Sequence, residues 1–220
     1  MSIVKDEQLR RVTDSGIVAI IRAPDGRLLA DVADVLYAAG IRVMEITFTV
    51  PKAHKVLEVV ADRLGDKILL GAGTVLDPET AQTAIAAGAE FIVSPSTNLD
   101  VIAYCRRHSK VSMPGAFTPT EIVNAWQAGA DFVKVFPCDF VGPNYLKVLR
   151  GPLPQVKMIP TGGVSVDTAA DFLRAGAAAL GAGSALVEAK ALAAGDLGRI
   201  EQVAREFVRI VGETRAAMAK

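Results

Sequence analysis

Short β-branched runs alternate with Ala- and Leu-rich stretches along the chain, at intervals of roughly 20 to 25 residues. The runs with the composition of strands are 16–22, 42–48, 68–70, 91–93, 111–113, 132–136, 156–159 and 178–180. The stretches with helical spacing are 28–39, 53–64, 78–87, 99–108, 120–127, 144–149, 167–175 and a last one after Ser184. Residues 4–14 and 197–217 predict a further helix near each end of the chain.

Four Ala-Gly pairs stand at the ends of predicted helices, just before the next strand-like run. A glycine at this position accepts the left-handed conformation that closes a helix. Runs that are apolar on both faces and connected through helices predict a parallel sheet. Eight such units predict an α/β fold of the closed (β/α)8 TIM barrel type with an extra N-terminal helix, in a single domain over residues 1–220. An open doubly wound sheet is the alternative.

Composition narrows the classes of partner. The 24 basic and 24 acidic residues give a formal net charge of zero, which argues against nucleic acid or a membrane surface as a partner and favours a small molecule. A hydrophobic fraction of 51% excludes a largely disordered chain. The charged start, two widely separated cysteines and the absence of an apolar run of about 18 residues predict a reduced, cytoplasmic protein without a membrane span.

A lysine interrupts the apolar run 132–136. Strand alternation places Phe132, Lys134 and Phe136 on one face. An amine among aromatic rings is poorly hydrated, which lowers its pKa from about 10.4 toward roughly 7 to 8. Lys134 is therefore a candidate nucleophile for a Schiff base. The structural alternative is an ion pair with Glu45 or another carboxylate.

A carboxylate interrupts the run 42–48, where Glu45 shares a strand face with Thr47. A glutamate in such a run is either paired or catalytic. We predict that Glu45 transfers protons, and that a neighbouring cation, Arg22 or Lys134, tunes its pKa.

Residues that follow the predicted strands are expected at the mouth of a barrel, where active sites lie. Arg22 ends the first run and Thr47 the second, and the positions at the ends of the next three runs are Thr74, Ser94-Pro95 and Pro114-Gly115. The glycine-rich turns after the last two strands contain Thr161, Gly162, Gly163, Gly183 and Ser184. Bare backbone N–H groups in such turns attract anions, so the two turns together predict a phosphate site. No spacing of His, Cys, Asp or Glu indicates a metal site.

A series of short motifs runs in the order GIVAIIRA, EITFTVP, GAGTV, FIVSP, MPGAFTPTE, FVKVFP, IPTGGV and GSALV. Over about residues 15–187 this series resembles the 2-keto-3-deoxy-6-phosphogluconate (KDPG) and 4-hydroxy-2-oxoglutarate (KHG) aldolase family. The resemblance implies a class I aldolase on a (β/α)8 barrel, assembled as a homotrimer. It implies cleavage of KDPG into pyruvate and glyceraldehyde 3-phosphate in the Entner–Doudoroff pathway, with KHG as a further candidate substrate. No metal or other cofactor is expected, because the protonated imine takes up the electrons.

Carried over by position, the resemblance makes Lys134 the Schiff-base residue and Glu45 the proton-transfer residue. The other matching positions are a pocket wall of Thr74, Pro95 and Phe136, a carboxylate or imine contact at Thr161, and a phosphate cradle of Gly162, Gly163 and Ser184. The predicted substrate-binding set is completed by Arg22, Thr47, Thr49 and Gly183. Some members carry an arginine four residues after the catalytic glutamate, where this chain has Thr49. Arg22 is the expected substitute.

Three alternatives remain open from the residues. The chain could prefer the galactonate stereoisomer, KDPGal, as its substrate. It could be a phosphosugar isomerase, epimerase or synthase in which Glu45 and Lys134 act as acid and base without a covalent adduct. It could also bind phosphosugars without turnover, with a structural Lys134–Glu45 pair. Trapping of a pyruvate imine separates the first of these from the other two.

Overall fold

The computed structural model of the chain describes residues 4–219. Its strands are β1 Ile17–Ile21, β2 Val43–Thr47, β3 Leu69–Gly73, β4 Phe91–Val93, β5 Val111–Met113, β6 Gly115–Ala116, β7 Val133–Val135, β8 Met158–Pro160 and β9 Leu180–Ala182. Its α-helices are α1 Lys5–Ser15, α2 Leu29–Ala38, α3 Ala53–Leu64, α4 Pro78–Ala86, α5 Leu99–Arg107, α6 Pro119–Gln127, α7 Gly142–Arg150, α8 Ala169–Arg174, α9 Ala189–Ala194 and α10 Leu197–Met218, and a 3₁₀ turn covers Gly65–Lys67.

All strand pairs are parallel, and the strands curl into a half-barrel with helices outside. One sheet has the order β5-β4-β3-β2-β1-β9 and the other β6-β7-β8. Only Pro114 separates β5 from β6. Because proline has no N–H to donate, it interrupts the ladder there. An isolated parallel bridge between Thr161 and Gly181 connects the end of β8 to β9.

The strands are buried on both faces, as expected for a parallel sheet under helices. A large apolar core lies between the strands and the outer helices. A smaller cluster holds strand residues such as Phe91 and Val93, with Phe132 just before β7 and Val12 of α1. Helix α1 therefore covers the amino ends of the strands and leaves their carboxyl ends open.

Local sequence signals explain where several helices begin and end. Asp77 caps α4 by accepting a hydrogen bond from the backbone N–H of Thr80, 2.6 Å away. Thr118 and Glu121 form a capping box at the start of α6. The predicted Ala-Gly closures are confirmed, since all four glycines have positive φ: Gly40, Gly88, Gly129 and Gly176.

Several predicted boundaries are wrong. The runs 68–70, 156–159 and 178–180 start before the strands they predict, which begin at Leu69, Met158 and Leu180. Residues such as Ile68 and Val156 are buried before they enter the ladder, so their hydrophobicity reports burial and not strand pairing. The helix predicted over 167–175 is shorter, spanning Ala169–Arg174.

No helix within residues 4–219 combines the length and the apolar character needed to cross a membrane.

Candidate active site

Glu45 lies in the middle of β2, with its side chain inside the curl of the sheet. It is 1% exposed, and neither carboxylate oxygen has a hydrogen-bond partner among the described residues. Burial raises the pKa of Glu45 above its ordinary value, while the charges of Lys134 and then Arg22 act in the opposite direction. Burial therefore shifts Glu45 toward the neutral carboxylic acid, a form that can donate a proton.

Lys134 occupies the middle of β7 and is 8% exposed. Its Nζ lies 5.3 Å from the centre of the Phe136 ring. Burial lowers the pKa of Lys134; the charge of Glu45 opposes this effect, and that of Arg22 adds to it. Burial therefore shifts Lys134 toward the neutral amine, which is the nucleophilic form.

The two groups line one small apolar cavity without forming an ion pair. Its lining consists of Val18, Ile20, Glu45, Val93, Met113, Lys134, Ile159, Thr161 and Gly181. A volume of about 10 Å³ leaves room for about one water molecule. Within the part of the chain that the structure describes, no salt bridge connects Lys134 to a carboxylate. The ion pair considered as the structural alternative is therefore absent among the described residues.

Two glycines inside strands, Gly73 and Gly181, make room for these groups. A Cβ at Gly73 would overlap Oε1 of Glu45 and lie 2.8 Å from its Cδ. A Cβ at Gly181 would overlap Oγ1 of Thr161. A glycine inside a strand is a recognised sign of close approach, so the signal was present in the motifs GAGT and GAGS.

The predicted threonines and Pro95 surround the carboxyl ends of β2, β3 and β4. Thr47 is buried, and its Oγ1 lies 2.8 Å from Oγ1 of the exposed Thr49. Thr74 adopts a φ of 58°, a strained conformation for a β-branched residue. Pro95 is partly buried, and its carbonyl group lies where a side chain at Gly115 would have to go.

Arg22 and Phe136 lie further out. Arg22 follows β1, is exposed and lines a cavity of about 590 Å³ between that end of β1 and helix α9. It still influences both Glu45 and Lys134 through its charge. Phe136 is 36% exposed directly after β7. Both side chains are therefore available to a ligand that enters from the open end of the sheet.

The two glycine-rich turns lie side by side because the bridge from Thr161 to Gly181 joins their starting points. Gly162 and Gly163 have φ values of 89° and 66°, which only glycine adopts without strain. Within residues 4–219, the backbone N–H groups of Gly162, Gly163 and Ser184 donate no hydrogen bond to a protein atom. Unpaired N–H groups in adjoining turns form a site for an anion.

Neighbouring side chains fix the shape of this cradle. Thr168 donates a hydrogen bond of 2.7 Å from its hydroxyl to the carbonyl of Gly163 and accepts one from the N–H of Ser165 at 2.9 Å. The carbonyl of Gly183 accepts hydrogen bonds from two N–H groups of the following turn, both at 2.9 Å. The carboxylate of Asp139 fills the space beside Gly162 and would overlap any side chain there. Thr168 and Asp139 were not among the predicted site residues, because their roles depend on tertiary contacts.

Among the described residues, no three or more His, Cys, Asp or Glu side chains are grouped so that they could hold a metal ion. Cys138 is buried near the cradle, where its thiol donates to the carbonyl of Val135 at 3.2 Å. Burial raises the pKa of Cys138 to about 11, which makes it unreactive at neutral pH.

Comparison with known proteins gives consistent matches over nearly the whole chain. Residues 8–203 match the family described as "Aldolase: KDPG and KHG aldolase". The 2-dehydro-3-deoxy-phosphogluconate aldolase of Treponema pallidum is 36% identical over 207 residues, which cover 94% of this chain and 97% of the relative. The 2-dehydro-3-deoxy-6-phosphogalactonate aldolase of Escherichia coli is 36% identical over 176 residues, covering 79% and 85%.

A solved structure shows the same likeness in three dimensions. The KDPG aldolase from Legionella pneumophila, with pyruvate captured at low pH as a covalent carbinolamine, matches with a TM-score of 0.83 at 28% identity. The match covers 90% of this chain and 96% of that one.

Proposed function

Since this chain belongs to the KDPG and KHG aldolase family of carbon–carbon lyases, we propose that it cleaves KDPG into pyruvate and glyceraldehyde 3-phosphate through a Schiff base on Lys134. One observation carries the assignment of residues: an amine and a carboxyl group are buried around one cavity, each shifted toward its neutral form and not joined in an ion pair. A structural pair would be charged and hydrogen-bonded. An unpaired neutral pair is instead prepared for nucleophilic addition and proton transfer.

Imine formation uses both neutral forms. The Nζ of Lys134 adds to the C2 ketone, and proton transfer within the adduct gives a neutral carbinolamine. Glu45 donates its proton to the departing C2 hydroxyl group, which leaves as water. The products of this step are a cationic imine on Lys134 and a carboxylate at Glu45.

Cleavage then uses Glu45 as a base. The carboxylate accepts the C4 hydroxyl proton, the C3–C4 bond breaks, and its electron pair moves into the iminium to give an enamine and the aldehyde. Glu45 returns that proton to C3. Water adds to the resulting pyruvate imine, its proton passes to Glu45, and collapse of the carbinolamine releases pyruvate. The amine and the carboxylic acid are regenerated, so one proton on Glu45 serves the whole cycle.

The remaining predicted residues would hold the two ends of the substrate. We assign the pyruvyl end to Thr47, Thr49, Thr74, Pro95, Phe136 and Thr161. Arg22 would supply the positive charge that some family members supply with an arginine at the position of Thr49. The phosphate would lie in the cradle of Gly162, Gly163, Gly183 and Ser184, where unpaired N–H groups support this role.

KDPGal is a second candidate substrate, because a relative with this specificity has the same 36% identity as the KDPG-specific relative. The two substrates differ in configuration at C4, the carbon whose hydroxyl group gives its proton to Glu45, so the groups around Glu45 would decide between them. The isomerase and phosphosugar-binding alternatives are disfavoured by the family assignment.

We extend the proposal to the architecture and the assembly. The near continuity of β5 with β6, and the bridge from Thr161 to Gly181, support a single closed (β/α)8 barrel with α1 as an extra N-terminal helix and one domain over the chain. A homotrimer in the cytoplasm is proposed from the family resemblance.

A coupled assay tests the proposed reaction. Pyruvate release from KDPG, KDPGal and KHG is followed through lactate dehydrogenase and NADH oxidation. We expect turnover of KDPG to exceed that of the other two. If a preparation that is folded by circular dichroism released no pyruvate from any of the three, the proposal would be contradicted. A preference for KDPGal would make KDPGal, and not KDPG, the substrate.

A further inference from the structure

A separate cavity lies at the opposite end of the sheet from Glu45 and Lys134. Its volume is about 570 Å³. It is lined by Ile17 at the start of β1, by residues that precede β2 and β3, and by the C-terminal half of α10. Because these positions lie at the amino ends of strands, the cavity is separate from the site of the aldol reaction.

The lining of this cavity carries an excess of positive charge. Its cations are Arg11, Arg42, Lys67 and Arg215, and the carboxylate that lines it is Asp14. Glu7 lies 3.6 Å from the guanidinium of Arg11 and offsets part of that charge. No salt bridge involves Arg42, Lys67 or Arg215 within the described residues 4–219. In a chain with no net charge, this local imbalance favours an anionic ligand.

Backbone carbonyls hold two of the arginines in place. Arg42 donates to the carbonyl of Tyr37 at 2.7 Å and lies 4.2 Å from the centre of the Tyr37 ring. Arg215 donates to the carbonyl of Asp14 at 2.7 Å and to that of Ala178 at 3.2 Å. Both guanidinium groups retain N–H donors, and a preorganised fork loses little entropy when it binds a phosphate.

Partial burial makes it more costly for the charge of Arg215 to lack a counter-ion. Arg215 is partly buried, and desolvation lowers its pKa, which an adjacent anion would reverse. The cavity is also far larger than a phosphate ion, and its remaining wall includes Val208 and Val211. It therefore has room for a carbon skeleton beside the charged group.

We infer that this cavity binds a phosphate monoester through Arg42 and Arg215, with the organic part of the ester against the valines of α10. The inference concerns a site distinct from the proposed aldolase centre and does not depend on the identity of the cleaved substrate.

The test must exclude phosphate binding in the cradle, so it is performed in the Gly163→Asp background. Thermal unfolding is followed with glycerol 3-phosphate, with inorganic phosphate and with sodium chloride at equal ionic strength. We expect the melting temperature to rise by about 3 to 5 °C when the ester is present at ten times its Kd. Adding Arg42→Gln should remove most of this rise, whereas Arg205→Gln, on the same helix as Arg215 but outside the cavity, should not.

A complementary variant uses the open space at Gly212, where an added Cβ meets nothing within 4 Å. Gly212→Glu places a carboxylate at the arginines and should abolish the response to the ester, while Gly212→Ala should retain it. Pyruvate trapping by each variant checks the aldolase centre separately. The inference would be overturned if glycerol 3-phosphate raised the melting temperature equally with and without the Arg42→Gln change. It would also be overturned if inorganic phosphate raised the melting temperature and the ester did not.

Discussion

Gly73 provides the space that the carboxyl group of Glu45 occupies. Gly73 pairs with Thr47 across β2 and β3, one diagonal step from Glu45, and a Cβ there would overlap Oε1 of the glutamate. The position of the proton-transfer group is therefore set by the absence of a side chain on the neighbouring strand. This relationship makes Gly73 a positioning residue that acts through Glu45.

Gly73→Ala should displace the carboxyl group and lower kcat by about 100-fold, the effect expected from a misplacement of about 1 Å. KM should change little, because the substrate contacts remain. The assay is normalised to the amount of enzyme that traps pyruvate with borohydride, which removes any loss through misfolding. Gly212→Ala, at an open position of α10, serves as the control. Unchanged kcat in Gly73→Ala would show that the carboxyl group has room to move.

Glu45→Gln removes the proton-transfer group and retains the volume of the side chain. We expect kcat for cleavage to fall by roughly 10²- to 10⁴-fold. Pyruvate should still be trapped as an imine, although more slowly, because Lys134 is intact. Glu58→Gln, which changes an exposed carboxylate on α3, should behave as wild type. If pyruvate trapping and cleavage were lost to the same extent, Glu45 would have a structural role and would not transfer the proton.

The pH dependence of stability tests the buried state of Glu45. Its pKa is raised above the unfolded value near 4.5, so the native state binds more protons than the unfolded state above that pH. The free energy of unfolding contributed by Glu45 therefore decreases as pH rises from 4.5 to the raised pKa, by about 1.4 kcal/mol for each pH unit crossed. Glutamine does not titrate. The melting temperature of Glu45→Gln relative to wild type should increase across this window, and a pH-independent difference would contradict the assignment.

Gly163→Asp tests the anion cradle. The added carboxylate and the altered turn should sharply raise KM for the phosphorylated substrate while the pyruvate imine still forms. Gly65→Asp controls for the backbone conformation, because Gly65 also has a positive φ, although a Cβ there meets nothing within 4 Å whereas one at Gly163 would lie 3.0 Å from Cα of Asp139. Equal loss of phosphorylated-substrate turnover and pyruvate trapping would mean that the turn supports the whole site and not the phosphate end.

Strand alternation in the sequence was sufficient to find Lys134 and Glu45, since an ionisable residue in an otherwise apolar run is conspicuous. The turns at Gly162 and Gly183 were found because their glycines follow predicted strands. The space-making role of Gly73 and the supporting hydrogen bonds of Thr168 were not. These depend on which residues face one another across neighbouring elements, and register between parallel strands is a tertiary property.

The predicted strand boundaries were wrong for a related reason. Ile68 and Val156 are as buried as strand residues, yet they precede the paired segments. Hydrophobicity therefore located the core correctly and misplaced the hydrogen-bonded ladder by one or two residues.

The covalent role of Lys134 is tested most directly by incubating the enzyme with pyruvate and borohydride and mapping the modified peptide by mass spectrometry. We predict one reduced pyruvyl adduct, located on Lys134. Lys134→Arg should lose both the adduct and turnover, because a guanidinium remains protonated and cannot form the imine. Lys157→Arg, in which a lysine that also lies over a phenylalanine ring is replaced, should retain both. An adduct on Lys147 or Lys157, or wild-type turnover by Lys134→Arg, would contradict the proposed mechanism.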